Sequence, residues 1–149
     1  MVEALHVANN ILERAFKEER AVSPMKLQKL IYFIYKRYLQ NAHDSLFNER
    51  FEAWKYGPVV LSVYHQLKKY GSRPIKDFYR NPIGEVWKVG DDKAEFSGAL
   101  DAIWQRYKGY NGIDLSALTH QKNTAWYNAM ENGKRFLDDD DILAEEWFS

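Results

Sequence analysis

Apolar residues recur at Ala4, Leu5, Ala8, Ile11, Leu12, Ala15 and Phe16, while Glu3, His6, Asn9, Asn10, Glu13 and Arg14 fill the remaining arc. This three-and-four spacing predicts an amphipathic helix with its polar side in water. A charged run from Lys17 to Arg20 ends the pattern, and Ser23-Pro24 reads as an N-cap followed by proline at the first helical position. The next helix, about Pro24 to Asn41, gathers Leu27, Leu30, Ile31, Ile34, Tyr35 and Tyr38 on a core arc. Lys26, Lys29, Lys36 and Arg37 cluster opposite, with Phe33 among them and Tyr32 at their edge, so both rings must meet another element or a partner.

Further along, Phe51 to Tyr56 reads as a short strand or extended segment entering a Gly57-Pro58 turn. Val60, Val63, Tyr64 and Leu67 return to helical spacing, predicting a helix over about Val59 to Tyr70 capped near Gly71. Between Gly71 and Phe96, Pro74, Pro82, Gly84 and Gly90 bracket Glu85 to Val89 and lead to Ala94-Glu95-Phe96, the pattern of a β-hairpin. Ser97 reads as the cap of a helix carrying Leu100, Ile103, Trp104 and Tyr107, and Asp114 as the cap of a short one over Leu115 to His120. The segment from Thr124 or Ala125 to Asn132 reads as another, stopped by Gly133. Asp138 to Asp141 cap a terminal helix bearing Ile142, Leu143, Trp147 and Phe148, a reading preferred over an acidic binding tail because carboxylates complement a helix N-terminus. The expected fold class is α+β: one domain over residues 1–149, mostly helical, with five to six helices, a small β-hairpin and a short extended segment.

Composition narrows the function classes. With 46% hydrophobic and 15% aromatic residues, the chain carries enough buriable ring surface for a packed core. Its 21 basic and 21 acidic residues cancel, so nucleic acid is not an expected partner unless a local patch provides the field. The absence of cysteine removes disulfides and thiolate chemistry and fits a reducing, cytoplasmic setting. The start lacks the basic and apolar regions of a signal peptide, and the longest apolar run, Leu30 to Tyr35, is far below the roughly 20 residues that span a bilayer.

The four histidines are scattered without metal-ligand spacing, so no metal site is expected. No nucleophile elbow, phosphate loop or dinucleotide fingerprint occurs, so neither catalysis nor a cofactor is expected. His6 and His65 fall on polar arcs. His120, beside Thr119 and near Trp126, is the histidine to watch: a structural hydrogen bond is the first reading, partner contact the second and acid–base work a distant third. The stripe of Lys26, Lys29, Lys36 and Arg37 with Tyr32 and Phe33 reads first as a solvated face, next as a protein interface, and otherwise as a phosphate-contacting patch.

Three stretches in order, KLQKLIYFIYKRYL from Lys26, FEAWKYGPVV from Phe51 and LTHQKNTAWYNA from Leu118, resemble the Panacea or SocA-like antitoxin domain, also seen in phage-associated GepA-like proteins. The family pattern falls on Leu27, Lys29, Leu30 and Tyr32, on Ala53, Trp54, Tyr56, Gly57, Pro58 and Val59, and on Thr119, His120 and Trp126. Where the family carries proline before the tryptophan, this chain has Ala125, so the entry to that helix is expected to differ.

The resemblance implies an antitoxin that neutralises a cognate protein toxin by direct binding, with a bacterial ATP-dependent protease as a further partner on the SocA pattern. With the resemblance spread over nearly the whole chain, an added DNA-binding region is not expected. A proteolytic adaptor or phage–host interaction protein is the alternative, a DNA-binding regulator the next, and self-association stays open. The partner-binding or family-motif candidates are Lys29, Tyr32, Phe33, Lys36, Trp54, Tyr56, Gly57, Pro58, Thr119, His120 and Trp126. Gly57-Pro58 is expected to fix a turn, with Trp54 and Trp126 packed inwards.

Overall fold

A computed structural model of the protein describes residues 2–147. Helix α1 (Ala4–Lys17) begins where the Glu3 N–H donates to His6 Nδ1 at 3.2 Å. Helix α2 (Pro24–Ala42) starts on Ser23, whose Oγ accepts from the Lys26 N–H, and ends at His43 in the left-handed region with φ 55°. The hairpin β1 (Phe51–Trp54) and β2 (Gly57–Val60) leads into α3 (Leu61–Leu67) and a 3-10 turn (Lys68–Tyr70). Then follow α4 (Ala94–Tyr107), α5 (Gly112–Thr119), α6 (Ala125–Glu131) and α7 (Asp139–Ala144).

The fold is α+β and mostly helical, with seven α-helices among the described residues rather than five to six. The short helices α5, α6 and α7 each have a side-chain cap, from Asn111, Thr124 and Asp138. Asn111, not Asp114, caps α5, and Ser97 lies inside α4, which starts a turn earlier than expected. Of the residues assigned above to the last helix, Trp147 lies beyond its end at Ala144 and Phe148 falls outside the described residues.

The expected hairpin around Glu85 to Val89 is not there: residues 71–93 are irregular, and Ala94–Phe96 form the first turn of α4. Two asparagines of α1 explain how this segment satisfies its backbone without a partner strand. Asn9 Nδ2 donates to the Tyr79 and Trp87 carbonyls while its Oδ1 accepts from the Tyr79 N–H. Asn10 pairs in both directions with the backbone of Val89, at 3.0 and 2.8 Å. Both asparagines are therefore buried, not solvated.

The hairpin lies instead at the extended segment, pairing Phe51 with Val60 and Trp54 with Gly57. Val59 and Val60 thus belong to a strand, and the helix after them runs only to Leu67. The outer edge of β1 is covered by the chain near Phe136: the Ala53 N–H donates to the Arg135 carbonyl and the Leu137 N–H to the Phe51 carbonyl.

Helix α2 is the axis of the molecule. It packs against α1, α3, α4, α5, α7 and β2, so no side of its middle turns faces water. Lys26, Lys29 and Lys36 are buried accordingly, and the solvated lysine face expected from the helical wheel does not exist. Phe33 stacks on Tyr107 of α4 at 5.0 Å, and Tyr32 meets Phe51 edge-on at 5.2 Å.

Candidate functional site

Eight of the eleven candidate residues converge around the hairpin turn. The turn residues Lys55 and Tyr56 keep negative φ, and the positive φ falls on Gly57, at 117°. Glycine is required there for a second reason: a Cβ would lie 2.7 Å from Lys29 Cε and 2.7 Å from Thr119 Oγ1. Close approach of α2, α5 and the turn is what this position permits.

Around the turn, four backbone carbonyls are engaged by side chains from three other elements. Trp126 Nε1 of α6 donates to the Trp54 carbonyl at 2.6 Å, and Ser116 Oγ of α5 donates to the Tyr56 carbonyl at 2.5 Å. Lys29 Nζ of α2 donates to the Pro58 carbonyl at 3.1 Å. His120 sits 2.8 Å from the Lys55 carbonyl through Nε2 and 2.5 Å from the Ser116 carbonyl through Nδ1, with its ring centroid 3.8 Å from that of Trp126. A neutral imidazole can donate to one of these two acceptors, and the doubly protonated ring to both. Thr119 Oγ1 donates to the Ser116 carbonyl, and Thr124 Oγ1 to the Thr119 carbonyl, which fixes the α5–α6 corner. Gln28 completes the clamp, pairing in both directions with the backbone of Val60.

The electrostatics follow from this burial. Lys29 is 1% exposed, and desolvation alone pushes its ammonium down to about 7. Burial pushes the Glu52 carboxyl up, but hydrogen bonds from Trp54 Nε1 and Arg135 outweigh it and bring the group below the usual carboxylate range.

On the outer side of the turn, β2, α3 and the first turn of α2 enclose a groove of about 370 Å³. Trp54 and Tyr64 meet edge-on at 4.8 Å across it, and Met25, Val59, Val63 and Leu67 supply apolar walls. Tyr56 and Tyr64 remain 57% and 39% exposed at its rim. Trp126 packs inwards as expected, whereas Trp54 is only half-buried because it forms this wall.

Tyr32, Phe33 and Lys36 belong elsewhere. Lys36 and Glu145, 1% and 2% exposed, form an ion pair at 2.9 Å, and Lys36 also donates to the Glu146 carbonyl. Glu145 Oε1 accepts from Tyr32 Oη and from the Ala125 N–H, both at 2.8 Å. Burial raises the Tyr32 phenol well above its ordinary value, with the charge of Glu145 adding to it. Burial likewise lowers Lys36, against the opposing pull of Glu145. Ala125 therefore enters α6 with its N–H bonded to a carboxylate, a bond that proline could not make.

Ser116, Gln28, Glu145, Asn9 and Asn10 were missed as working residues. Ser116 had a readable signal, since it stands four residues before His120 on one helix face. Glu145 had none, being 113 residues from Tyr32 and one of two adjacent glutamates.

Among the described residues, no helix is long and apolar enough to cross a membrane, and no group of three or more His, Asp or Glu side chains could hold a metal ion.

The fold is thus a helical module that locks an aromatic hairpin beside an apolar groove. The family model of the antitoxin SocA-like Panacea domain matches residues 27–127, and the chain belongs to that family. The match takes in α2, the hairpin and the α5–α6 corner, the parts that build the clamp. Antitoxin SocA of Caulobacter vibrioides (strain NA1000 / CB15N) is 40% identical over 74 residues, which are 50% of this chain and 39% of that protein. The chain thus matches well under half the length of that curated relative. No solved structure gives a significant match.

Proposed function

We propose that this protein is an antitoxin that neutralises a cognate protein toxin by direct binding in the cytoplasm, without catalysis of its own. Membership of the SocA-like Panacea family carries this reading. The rigid clamp supports it physically, because a surface held in place before binding loses little conformational entropy when a partner docks. A DNA-binding role through the Lys26 to Arg37 stripe has lost its basis: three of its four cations are buried, and Lys26 Nζ is spent on the Lys108 carbonyl.

The test is inducible expression of the protein encoded by the adjacent gene, alone and with this chain. Growth arrest alone and growth restored on coexpression, with a complex recovered from the rescued cells, is the expected result. A neighbour that is harmless alone, or toxic in both settings, ends the antitoxin reading. Following the neighbour's level separates the modes: a constant level with rescue fits simple blocking, and its disappearance fits delivery to a protease.

A further inference from the structure

We infer that the groove between the hairpin turn and α3 seats an apolar anchor side chain of the toxin, flanked in the toxin by a carboxylate that pairs with Lys55. The inference rests on the antitoxin reading and assigns it a surface.

Two of the exposed large apolar side chains, Tyr56 and Tyr64, gather at the groove. They stand at its rim over walls of Trp54, Met25 and Leu67. Aromatic side chains on a fixed backbone are the residues that dominate binding energy at protein interfaces. Here the backbone is fixed, since side chains from α2, α5 and α6 engage the carbonyls of residues 54, 55, 56 and 58. The Trp54–Tyr64 contact further limits rearrangement of the wall.

Charge identifies the occupant. Among the described residues, the charged ones lining the groove are Lys29 and Lys55, and no carboxylate lines it. Lys29 Nζ is buried against the Pro58 carbonyl, so the cation that the groove presents to a partner is the exposed Lys55. Exposed Lys68 and Lys69 follow Leu67 on the α3 side. An acidic flank on an apolar segment complements this site, while a basic or wholly neutral one leaves the lysines unmatched. The patch at Trp87 on the irregular segment is lined by Glu3 and Glu85 and has the opposite charge character.

The experiment uses the full chain and the purified protein encoded by the adjacent gene. Affinity and growth rescue are measured for the parent and for Tyr64→Ala, Lys55→Glu and, at the other patch, Trp87→Ala. Tyr64→Ala and Lys55→Glu are each expected to raise Kd roughly 30-fold or more, the size of an interface hot spot, and to abolish rescue. Trp87→Ala is expected to leave both unchanged.

Groove variants that melt like the parent yet bind and rescue normally overturn the inference and leave the antitoxin reading standing. So does a change in self-association with toxin binding intact, which would make the groove an interface between copies of this chain. A parent that neither binds nor rescues overturns both. If Tyr64→Ala unfolds, Lys55→Glu decides alone, because that side chain is exposed and only its backbone carbonyl serves the clamp.

Discussion

Lys29 shows how one side chain can link turn geometry to pH. Its ammonium, ordinarily at 10.5, titrates near 7 in the folded chain because burial disfavours the charge. Between those values the unfolded chain holds a proton that the folded chain has released, so stability rises with pH across the window and is lost as pH falls towards 7. The slope from this group approaches about 1.4 kcal/mol per pH unit in mid-window. Urea unfolding of the parent between pH 7 and 10 should show this rise, and Lys29→Met, which keeps the apolar stem, should flatten it. A variant retaining the full slope would place the titration on another residue. Lys29 was legible as a motif position, but its burial was not: a lysine opposite a core stripe looks solvated until the elements packing around α2 are known.

The segment after α7 is held to α2 by a buried charge as well as by the contact of Trp147 with Phe33. Glu145 serves Lys36, Tyr32 and the α6 N-terminus together, and Gln40 adds a bond to the Glu145 carbonyl and one from Trp147 Nε1. Lys36 Nζ also lies 4.0 Å over the Trp147 ring. Glu145→Gln leaves a buried ammonium without its counter-charge, which should cost about 3–5 kcal/mol in chemical denaturation. The double variant Lys36→Met with Glu145→Gln should recover much of that loss, since the amide oxygen still accepts from Tyr32 and Ala125 and no unpaired ammonium remains to desolvate. Purely additive single losses would show that the two groups do not act as a pair. Caps and apolar spacing predicted the helices of this region, whereas the node joining them brings together residues more than a hundred positions apart.

At the scale of the molecule, the balanced charge and the loss of the lysine stripe to the interior predict weak contact with nucleic acid. Titration of a DNA duplex at several salt concentrations should give a log–log slope smaller in magnitude than about 1, against several for a protein that neutralises many phosphates. A steep slope would reveal a basic surface elsewhere on the fold. Read by itself, the sequence determined the positions of α1, α2 and α6, the acidic start of α7, the Ser23 cap and the glycine at the turn, because each depends on neighbours a few residues away, while three motifs in order pointed to the family. It placed the hairpin in the wrong turn-rich region, because turn residues mark where a chain bends but not which backbone satisfies the flanking groups; Asn9 and Asn10 do that work for residues 79–89. Only the tertiary structure decided that the lysines of α2 are interior, that Glu145 meets Lys36, and that three separated motifs close on one turn. Those outcomes depend on which faces meet across long stretches of chain, and burial, not local spacing, then sets the charge state and the hydrogen-bond partners of each group.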